Sequence, residues 1–204
     1  HNKTINNLKN TNIFKTVKSN IKKGSVDGLK IIDIAIEEKP TGELTAGAGY
    51  GSSGSSFNVG IKENNFNGKG VKLDMNLALS EESVRGKFAY TNPNFAYSDR
   101  AVTTSVESTS TDREDDYGYK SSLNKFSLGT SFEQFENVYF SPSFSISNEV
   151  LTTTAKASAN YKKQEGTYFD TLFSYSLTYQ DVDSVNRPSN GIVHTAVEKI
   201  LNGI

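Results

Sequence analysis

The sequence has no cysteine and no tryptophan, one methionine, four prolines and two histidines in 204 residues. Without cysteine there is no disulfide framework, no thiolate zinc site and no cysteine nucleophile. Only His1 and His194 could supply an imidazole, which removes most metal-binding and triad chemistry. No apolar run approaches the roughly 20 residues that a membrane-spanning helix needs. These absences exclude a helical transporter and a thiol-dependent enzyme.

Charge is close to balanced, with a formal net charge of -1 and a pI near 6.2. This balance predicts no nucleic-acid partner. The distribution is uneven, however, because the first 40 residues carry eight lysines against four acidic residues and the remainder is correspondingly acidic. We therefore place a domain boundary near Pro40 and treat residues 1–40 as a basic head.

The residues that are abundant favour extended chain. Phenylalanine and tyrosine number 12 and 10, and serine, threonine, asparagine and glycine are common. From Glu43 onward, apolar residues alternate with small or polar ones at the period of two that is typical of strands. The alternation predicts eight strands between Glu43 and Tyr179. Their apolar faces include Leu44–Tyr50, Phe57–Ile61, Val71–Leu79, Val84–Tyr90, Val102–Val106, Phe126–Phe132, Phe140–Ile146 and Phe169–Tyr179.

The second face of these strands indicates their surroundings. It carries mainly Gly, Ser, Thr, Asn and Ala, with scattered charges. Such a face could line a polar lumen, and segments of about ten residues with one apolar face and aromatic ends are typical of an outer-membrane barrel. A soluble β-sandwich also alternates, so the pattern alone favours the barrel and leaves the sandwich open.

The two ends of the chain differ from this body. The head predicts a short helix around Ile5 and Leu8, then strands in the stretches beginning at Phe14 and at Leu29, which is half of a small α+β module. In residues 192–204, Val193, Val197, Ile200 and Leu201 fall at helical spacing, so this segment is predicted to be a helical tail.

No motif indicates catalysis. Gly49, Gly51 and Gly54 satisfy the dinucleotide pattern GxGxxG, but a strand alternation follows them where that motif needs a helix. The acidic run from Asp112 to Asp116 lacks the spacing of a calcium loop and is interpreted as a solvated loop. We predict no enzyme, no catalytic residue, no cofactor and no metal site.

Several strings, in this order and at these spacings, resemble the BamA family of outer-membrane protein assembly factors, in its α-proteobacterial branch. They are Thr41–Leu44, Gly47–Ser52, Asn65–Gly70, Thr91–Phe95 and Arg187–Gly191, together with Lys162–Gly166. Within them, the turn residues that match the family are Asn65, Phe66, Gly68, Gly70, Asn92, Pro93, Phe95, Arg187, Pro188 and Gly191.

The resemblance implies a mainly β protein, a fragment in which residues 1–40 close a POTRA domain and residues 41–191 form the first half of an antiparallel transmembrane β-barrel. It implies insertion of β-barrel proteins into the outer membrane, with the N-terminal segment in the periplasm. The implied partners are unfolded outer-membrane protein clients, periplasmic lipoprotein subunits and the lipid bilayer. The lateral gate would be the first strand, made of Glu43, Leu44, Thr45, Ala46, Gly47, Ala48, Gly49 and Tyr50.

Two other functions fit the alternating pattern. An outer-membrane secretion pore or porin-like transporter would use similar strands around an open lumen. A soluble β-sandwich would make the chain a binding module.

Overall fold

The fold was analysed in a computed structural model of the chain, which describes residues 2–26, 28–51, 54–183 and 188–203. The head consists of helix α1 and two strands, and the body consists of nine strands with two short helices in the links. The elements are α1 Asn2–Asn10, β1 Phe14–Lys23, β2 Lys30–Glu38, β3 Gly42–Gly51, β4 Gly54–Phe66, β5 Val71–Ser80, β6 Ser83–Asn92, β7 Ala101–Arg113, α2 Glu114–Tyr117, β8 Tyr119–Phe135, β9 Val138–Thr153, α3 Ala159–Lys163, β10 Gly166–Val182 and β11 Gly191–Gly203.

Strands β3 to β11 form one antiparallel meander in which each strand pairs with its neighbours in sequence. The sheet is not closed, since β3 and β11 form its two edges. Strands β1 and β2 pair separately as a two-stranded antiparallel sheet. The eight strands expected between residues 43 and 179 are confirmed, and β11 adds a ninth.

Cross-strand pairing places the predicted apolar residues on one face of this sheet, here called the outer face. Residues directly opposite each other in a ladder share a face, so a row of partners traces it across the strands. One such row contains Leu44, Ile61, Met75, Phe88, Val106, Phe126 and Ile146. These side chains have no second sheet packed against them within the described residues, and Met75 remains 44% exposed. A β-sandwich would bury this face between two sheets, so the sandwich interpretation does not fit.

The opposite face, here called the inner face, is mainly polar and combines small side chains with charged ones such as Lys62 and Asp74. Asn76 donates to Asn58 Oδ1 at 2.9 Å, and the hydroxyls of Ser143 and Ser174 lie 2.7 Å apart. These contacts join β4 to β5 and β9 to β10 across the surface that would line a lumen.

The predicted helical tail is wrong. Residues 191–203 form β11, which pairs with β10 from Val182↔Gly191 to Asp170↔Gly203. A spacing of four residues puts Val193 and Val197 on one side of a helix, but it also puts them on one face of a strand. Ile192, Val193, Thr195 and Val197 are β-branched, and pairing with the otherwise free edge of β10 favours the strand.

The meander has two rims. The links after β4, β6, β8 and β10 lie on the side where β3 begins, which we call the head-side rim, and the links after β5, β7 and β9 lie at the far rim. At the far rim, Tyr119 is buried and stacks on Tyr161 with ring centroids 4.3 Å apart. Interaction with Tyr119 raises the pKa of Tyr161 in α3. This contact joins the start of β8 to the link between β9 and β10.

Candidate functional site

The candidate site is the first strand of the meander and its junction with the head. All ten residues of β3 are exposed, and β3 pairs with β4 on one side only. Its outer face carries Leu44, Ala46, Ala48 and Tyr50, and Gly47 and Gly49 lie on the inner face. Small side chains give little contact area to cross-strand pairs, which are the unit of sheet stabilisation. β3 is therefore both an open edge and a weakly anchored strand.

The two inner-face glycines differ in their surroundings. A Cβ added at Gly47 would meet no atom within 4 Å, whereas one at Gly49 would lie 3.1 Å from Ser56 Oγ. Together the glycines leave a shallow depression of about 570 Å³ on the inner face, bordered by Asn58 and Arg85. The inner wall beside the free edge is thus unfilled.

A cluster of hydrogen bonds holds the beginning of β3. The Thr41 hydroxyl donates to Glu63 Oε1, and the backbone N–H and side-chain amide of Asn64 both donate to the Thr41 carbonyl at 3.2 Å. Lys39 N–H donates to the Ile13 carbonyl at 3.1 Å, which fixes the linker to the start of β1. The linker between head and sheet is therefore anchored at both ends.

The same cluster continues into the predicted turn 65–70. Asn65 N–H donates to Glu63 Oε1 at 2.7 Å, and Gly70 N–H donates to Asn65 Oδ1 at 2.7 Å. Gly68 and Gly70 adopt φ of 69° and 67°, a left-handed conformation that glycine reaches without steric cost. Phe66, at the end of β4, is 43% exposed.

The second predicted turn, after β6, is also ordered by its own hydrogen bonds. Asn92 Oδ1 accepts from Asn94 N–H at 3.1 Å, and Phe95 N–H donates to the Arg100 carbonyl at 2.8 Å. Pro93 is exposed, and Phe95 is 51% exposed. The turn thus presents an aromatic side chain at the head-side rim.

The third predicted turn precedes β11. Asp183 Oδ1 accepts from the N–H groups of Ser189 and Asn190 at 2.9 and 3.1 Å. Gly191 adopts φ of 122°, and a Cβ there would lie 2.1 Å from the Asp181 carbonyl oxygen, so only glycine fits. Pro188 lies in this link, and Arg187 lies outside the described residues.

The three turns therefore lie at the same rim, and the first of them is next to Ile13 of the head. A family model described as the Omp85 superfamily domain matches residues 65–200. The chain belongs to the Omp85 superfamily. A crystal structure of BamA from Haemophilus ducreyi lacking POTRA domains 1–3 is similar in fold, with a TM-score of 0.67 and 22% sequence identity. That match covers 98% of this chain and 42% of the BamA chain.

These findings confirm the resemblance inferred from the turns. The chain is a BamA-like barrel fragment that spans about two fifths of the BamA chain it matches. No group of three or more His, Cys, Asp or Glu side chains within the described residues is placed to hold a metal ion. No helix among the described residues is long and apolar enough to cross a membrane.

Sequence reasoning missed part of the junction. Glu63 continues the outer-face series of Phe57, Val59 and Ile61, where the alternation predicts an apolar residue. In the sequence, the carboxylate of Glu63 at this position already indicates that the apolar band of β4 ends there. Its partners, Thr41 and Asn65, could be found only from the structure, because their contacts depend on the turn.

Proposed function

We propose that the chain is the periplasmic junction and the first half of an outer-membrane barrel that inserts other β-barrel proteins into the outer membrane. The observation that carries this proposal is a weak, exposed edge strand, β3, on a sheet whose outer face carries a row of apolar side chains from β3 to β9. Membership of the Omp85 superfamily and the fold similarity to BamA support it. No nucleotide or covalent step is needed, because strand pairing itself supplies the driving force.

The proposed orientation puts the head and the head-side rim in the periplasm. The head is basic overall, and its strands β1 and β2 carry surface ion pairs such as Lys15–Glu37 at 2.8 Å. We assign residues 1–40 to the end of a POTRA domain. An extended client, or a lipoprotein subunit of an assembly complex, would bind at a free edge of this small sheet by strand addition.

The proposed mechanism is templating at the seam. An incoming strand pairs with the free edge of β3 through backbone hydrogen bonds, which require no particular client sequence. The weak side-chain contacts of β3 lower the cost of exchanging a closing strand for an incoming one, since each cross-strand pair contributes only about 0.2–1 kcal/mol. The incoming strand takes over the backbone hydrogen bonds of the strand that it replaces. The short side chains of Ala46 and Ala48 also narrow the apolar band beside the seam, which favours local thinning of the bilayer.

The test is to fill the inner face of β3. Gly47→Val adds a β-branched side chain in open space at the seam. Gly86→Val is the control for the added side chain, since its Cβ also meets nothing within 4 Å, but it lies on the outer face opposite Leu77, in a strand that is paired on both sides. Strengthening one cross-strand pair by about 0.2–1 kcal/mol predicts a rate of client insertion lowered about 1.5- to 5-fold for Gly47→Val. Gly86→Val should insert clients at the wild-type rate.

The measurement is client insertion into vesicles by the complete protein, with heat-modifiable gel mobility as the check on folding. A correctly folded Gly47→Val variant that inserts clients at the wild-type rate contradicts the seam mechanism. Steady, large conductance in planar bilayers without client insertion would favour a secretion pore or porin-like transporter instead.

A further inference from the structure

Arg100 lies at the head-side rim on the outer face. In the β7–β8 ladder, Val102 pairs with Thr130 and Ala101 pairs with Ser131, so Phe132 is the next position opposite Arg100. The Arg100 guanidinium carbon lies 5.0 Å from the centre of the Phe132 ring. A positive charge is therefore held over an aromatic ring of the outer face, at the edge of the apolar band.

The guanidinium of Arg100 has no acidic partner among the described residues. Arg113, at the far rim, offers a comparison, because it also lies near a ring, 5.7 Å from Tyr117, but pairs with Glu82 at 2.6 Å. The adjacent Asp99, which has a φ of 55°, makes no ion pair with Arg100. A cation–π contact leaves the five guanidinium N–H donors available to an anion.

The ring under Arg100 begins an aromatic path along the outer face. Phe132 and Phe140 meet edge to face with centroids 5.8 Å apart, and Phe140 lies 5.9 Å from Tyr175. These residues belong to three consecutive strands, β8, β9 and β10. Since Phe132 and Phe140 are directly opposite each other in the ladder, the rings extend the apolar surface from the cation across neighbouring strands along the head-side rim.

The turn before Arg100 is held by hydrogen bonds and carries two exposed rings. Phe95 is 51% exposed and Tyr97 is 95% exposed. Ala96, Tyr97 and Asp99 all have positive φ, an unfavourable conformation for residues other than glycine that persists only where surrounding contacts enforce it. The bond from Phe95 N–H to the Arg100 carbonyl and the bond from Asp99 N–H to Asn94 Oδ1, at 3.1 Å, supply those contacts.

Strand geometry places Arg100 at the head-side end of the apolar band. On the outer face of β7, Val102 and Val106 are apolar, and Ser108, beyond Val106, is polar. Arg100 lies at the other end of this series, six residues from Val106, which is about 20 Å along a strand at about 3.4 Å per residue. With a strand tilt of about 40°, this is about 15 Å along the membrane normal, so the guanidinium lies where the apolar side chains of this strand end.

We propose that Arg100 binds the phosphate of a glycerophospholipid in the periplasmic leaflet, with one acyl chain lying along Phe132 and Phe140. Tyr97 and Phe95 flank the head group from the turn. Arginine presents paired N–H donors that match a phosphate, and aromatic rings favour the interface between head groups and tails. This inference rests on the proposed membrane location of the sheet.

The experiment uses the protein reconstituted in nanodiscs of phosphatidylethanolamine and phosphatidylglycerol, then partially delipidated and analysed by native mass spectrometry. Wild-type protein should retain one phospholipid more than Arg100→Gln does. Arg85→Gln is the matched control, since Arg85 is also exposed and without an ion pair in the described part of the chain, but it lies on the inner face. Equal retention by wild type and Arg100→Gln would overturn the site, and so would equal loss in both variants.

A second measurement uses the absence of tryptophan from the sequence. Tyr97→Trp introduces a single tryptophan next to the site, and Tyr117→Trp introduces one at the far rim. With lipids that are brominated near the head group and confined to the periplasmic leaflet, the fluorescence of Tyr97→Trp should be quenched several-fold more than that of Tyr117→Trp. Equal quenching at both positions would overturn the proposal. This variant keeps Arg100, so it stays informative if Arg100→Gln does not fold.

Two further arms separate the possible outcomes. Loss of the bound phospholipid on adding inorganic phosphate would show that Arg100 binds a free anion. Retention of lipid A in place of phospholipid would place this rim in the other leaflet. Either result contradicts the proposal. Heat-modifiable mobility and resistance to carbonate extraction report membrane insertion by themselves. Their failure would count against the membrane location, whereas normal insertion without the retained lipid would count against the Arg100 site alone.

Discussion

Arginine substitutions at two adjacent residues of β5 test which face of the sheet meets lipid. Met75 lies on the outer face between Ile61 and Phe88, and Asn76 lies on the inner face, where it donates to Asn58. Because neighbouring residues of a strand share the same depth, Met75→Arg and Asn76→Arg differ in the direction of the charge and hardly in its level. The pair therefore isolates the effect of the face.

The magnitude follows from the position of Met75 in the apolar band. The outer residues of β5 run from Leu73 to Leu79, which spans about 16 Å along the membrane normal for a strand of about 3.4 Å per residue tilted by about 40°. Met75 lies within about 3 Å of the middle of this span, where an arginine facing lipid costs about 2–4 kcal/mol. Asn76→Arg loses one exposed hydrogen bond, which costs about 0.5–1 kcal/mol.

The assay is the free energy of unfolding of the protein in lipid vesicles, measured by urea titration. We expect Met75→Arg to lower it by at least 1 kcal/mol more than Asn76→Arg, within the about 2–4 kcal/mol range for a lipid-facing arginine. Leu79→Arg, nearer the far rim, should fall between the two. Equal destabilisation by Met75→Arg and Asn76→Arg would refute the assignment of the two faces.

Three further predictions address other parts of the chain. Gly118 has a φ of 71° and no room for a side chain, since a Cβ would lie 2.4 Å from Ala157 N. Gly118→Ala should therefore lower the urea midpoint clearly more than Gly68→Ala, where φ is 69° and the space is open. Equal midpoints for the two variants would refute this packing. Glu198 points to the outer face and accepts a hydrogen bond from the Tyr175 hydroxyl, so Glu198→Leu should stabilise the membrane-inserted protein by about 1 kcal/mol or more in the same titration; destabilisation would mean that this face of β11 does not meet lipid. A photocrosslinker at Lys18 should capture an added unfolded barrel client, whereas one at Lys162 on the far rim should not, and capture at Lys162 alone would reverse the orientation.

The sequence was sufficient to predict the eight central strands and their faces. A strand has a side-chain period of two, and runs such as Leu73 to Leu79 repeat it over enough residues to fix both the element and its orientation. Gly68, Gly70 and Gly191 were identified through the family resemblance, and they occupy positive-φ positions, which glycine reaches without steric cost. These features depend on neighbours in sequence.

The features that the sequence did not predict depend on partners distant in sequence. Asp112 and Arg113, expected in a solvated loop, lie in β7 because Lys120 and Tyr119 of β8 pair with them, and Lys120 Nζ lies 3.0 Å from Asp112. Polar residues carry no period-two signal, so strand extension beyond the apolar band cannot be detected from the pattern. The contact of Arg100 with Phe132 likewise exists only once the register of β7 on β8 is set.

The two edges of the sheet are chemically unequal, and this inequality bears on how the barrel closes. β3 and β11 run in the same direction because seven strands of a meander separate them, so closure with antiparallel pairing at every seam needs an odd number of further strands. In a bilayer, each backbone group left without a partner costs several kcal/mol, so closure by some strand is obligatory. β11 offers β-branched residues such as Ile192 and Val197 to its pairing with β10, whereas β3 offers Ala46 and Gly47 to its pairing with β4. Since β-branched pairs hold a ladder more firmly than alanine and glycine do, the proposed mechanism predicts that a seam made by β3 opens more readily than one made by β11. An incoming strand should therefore join this sheet at β3.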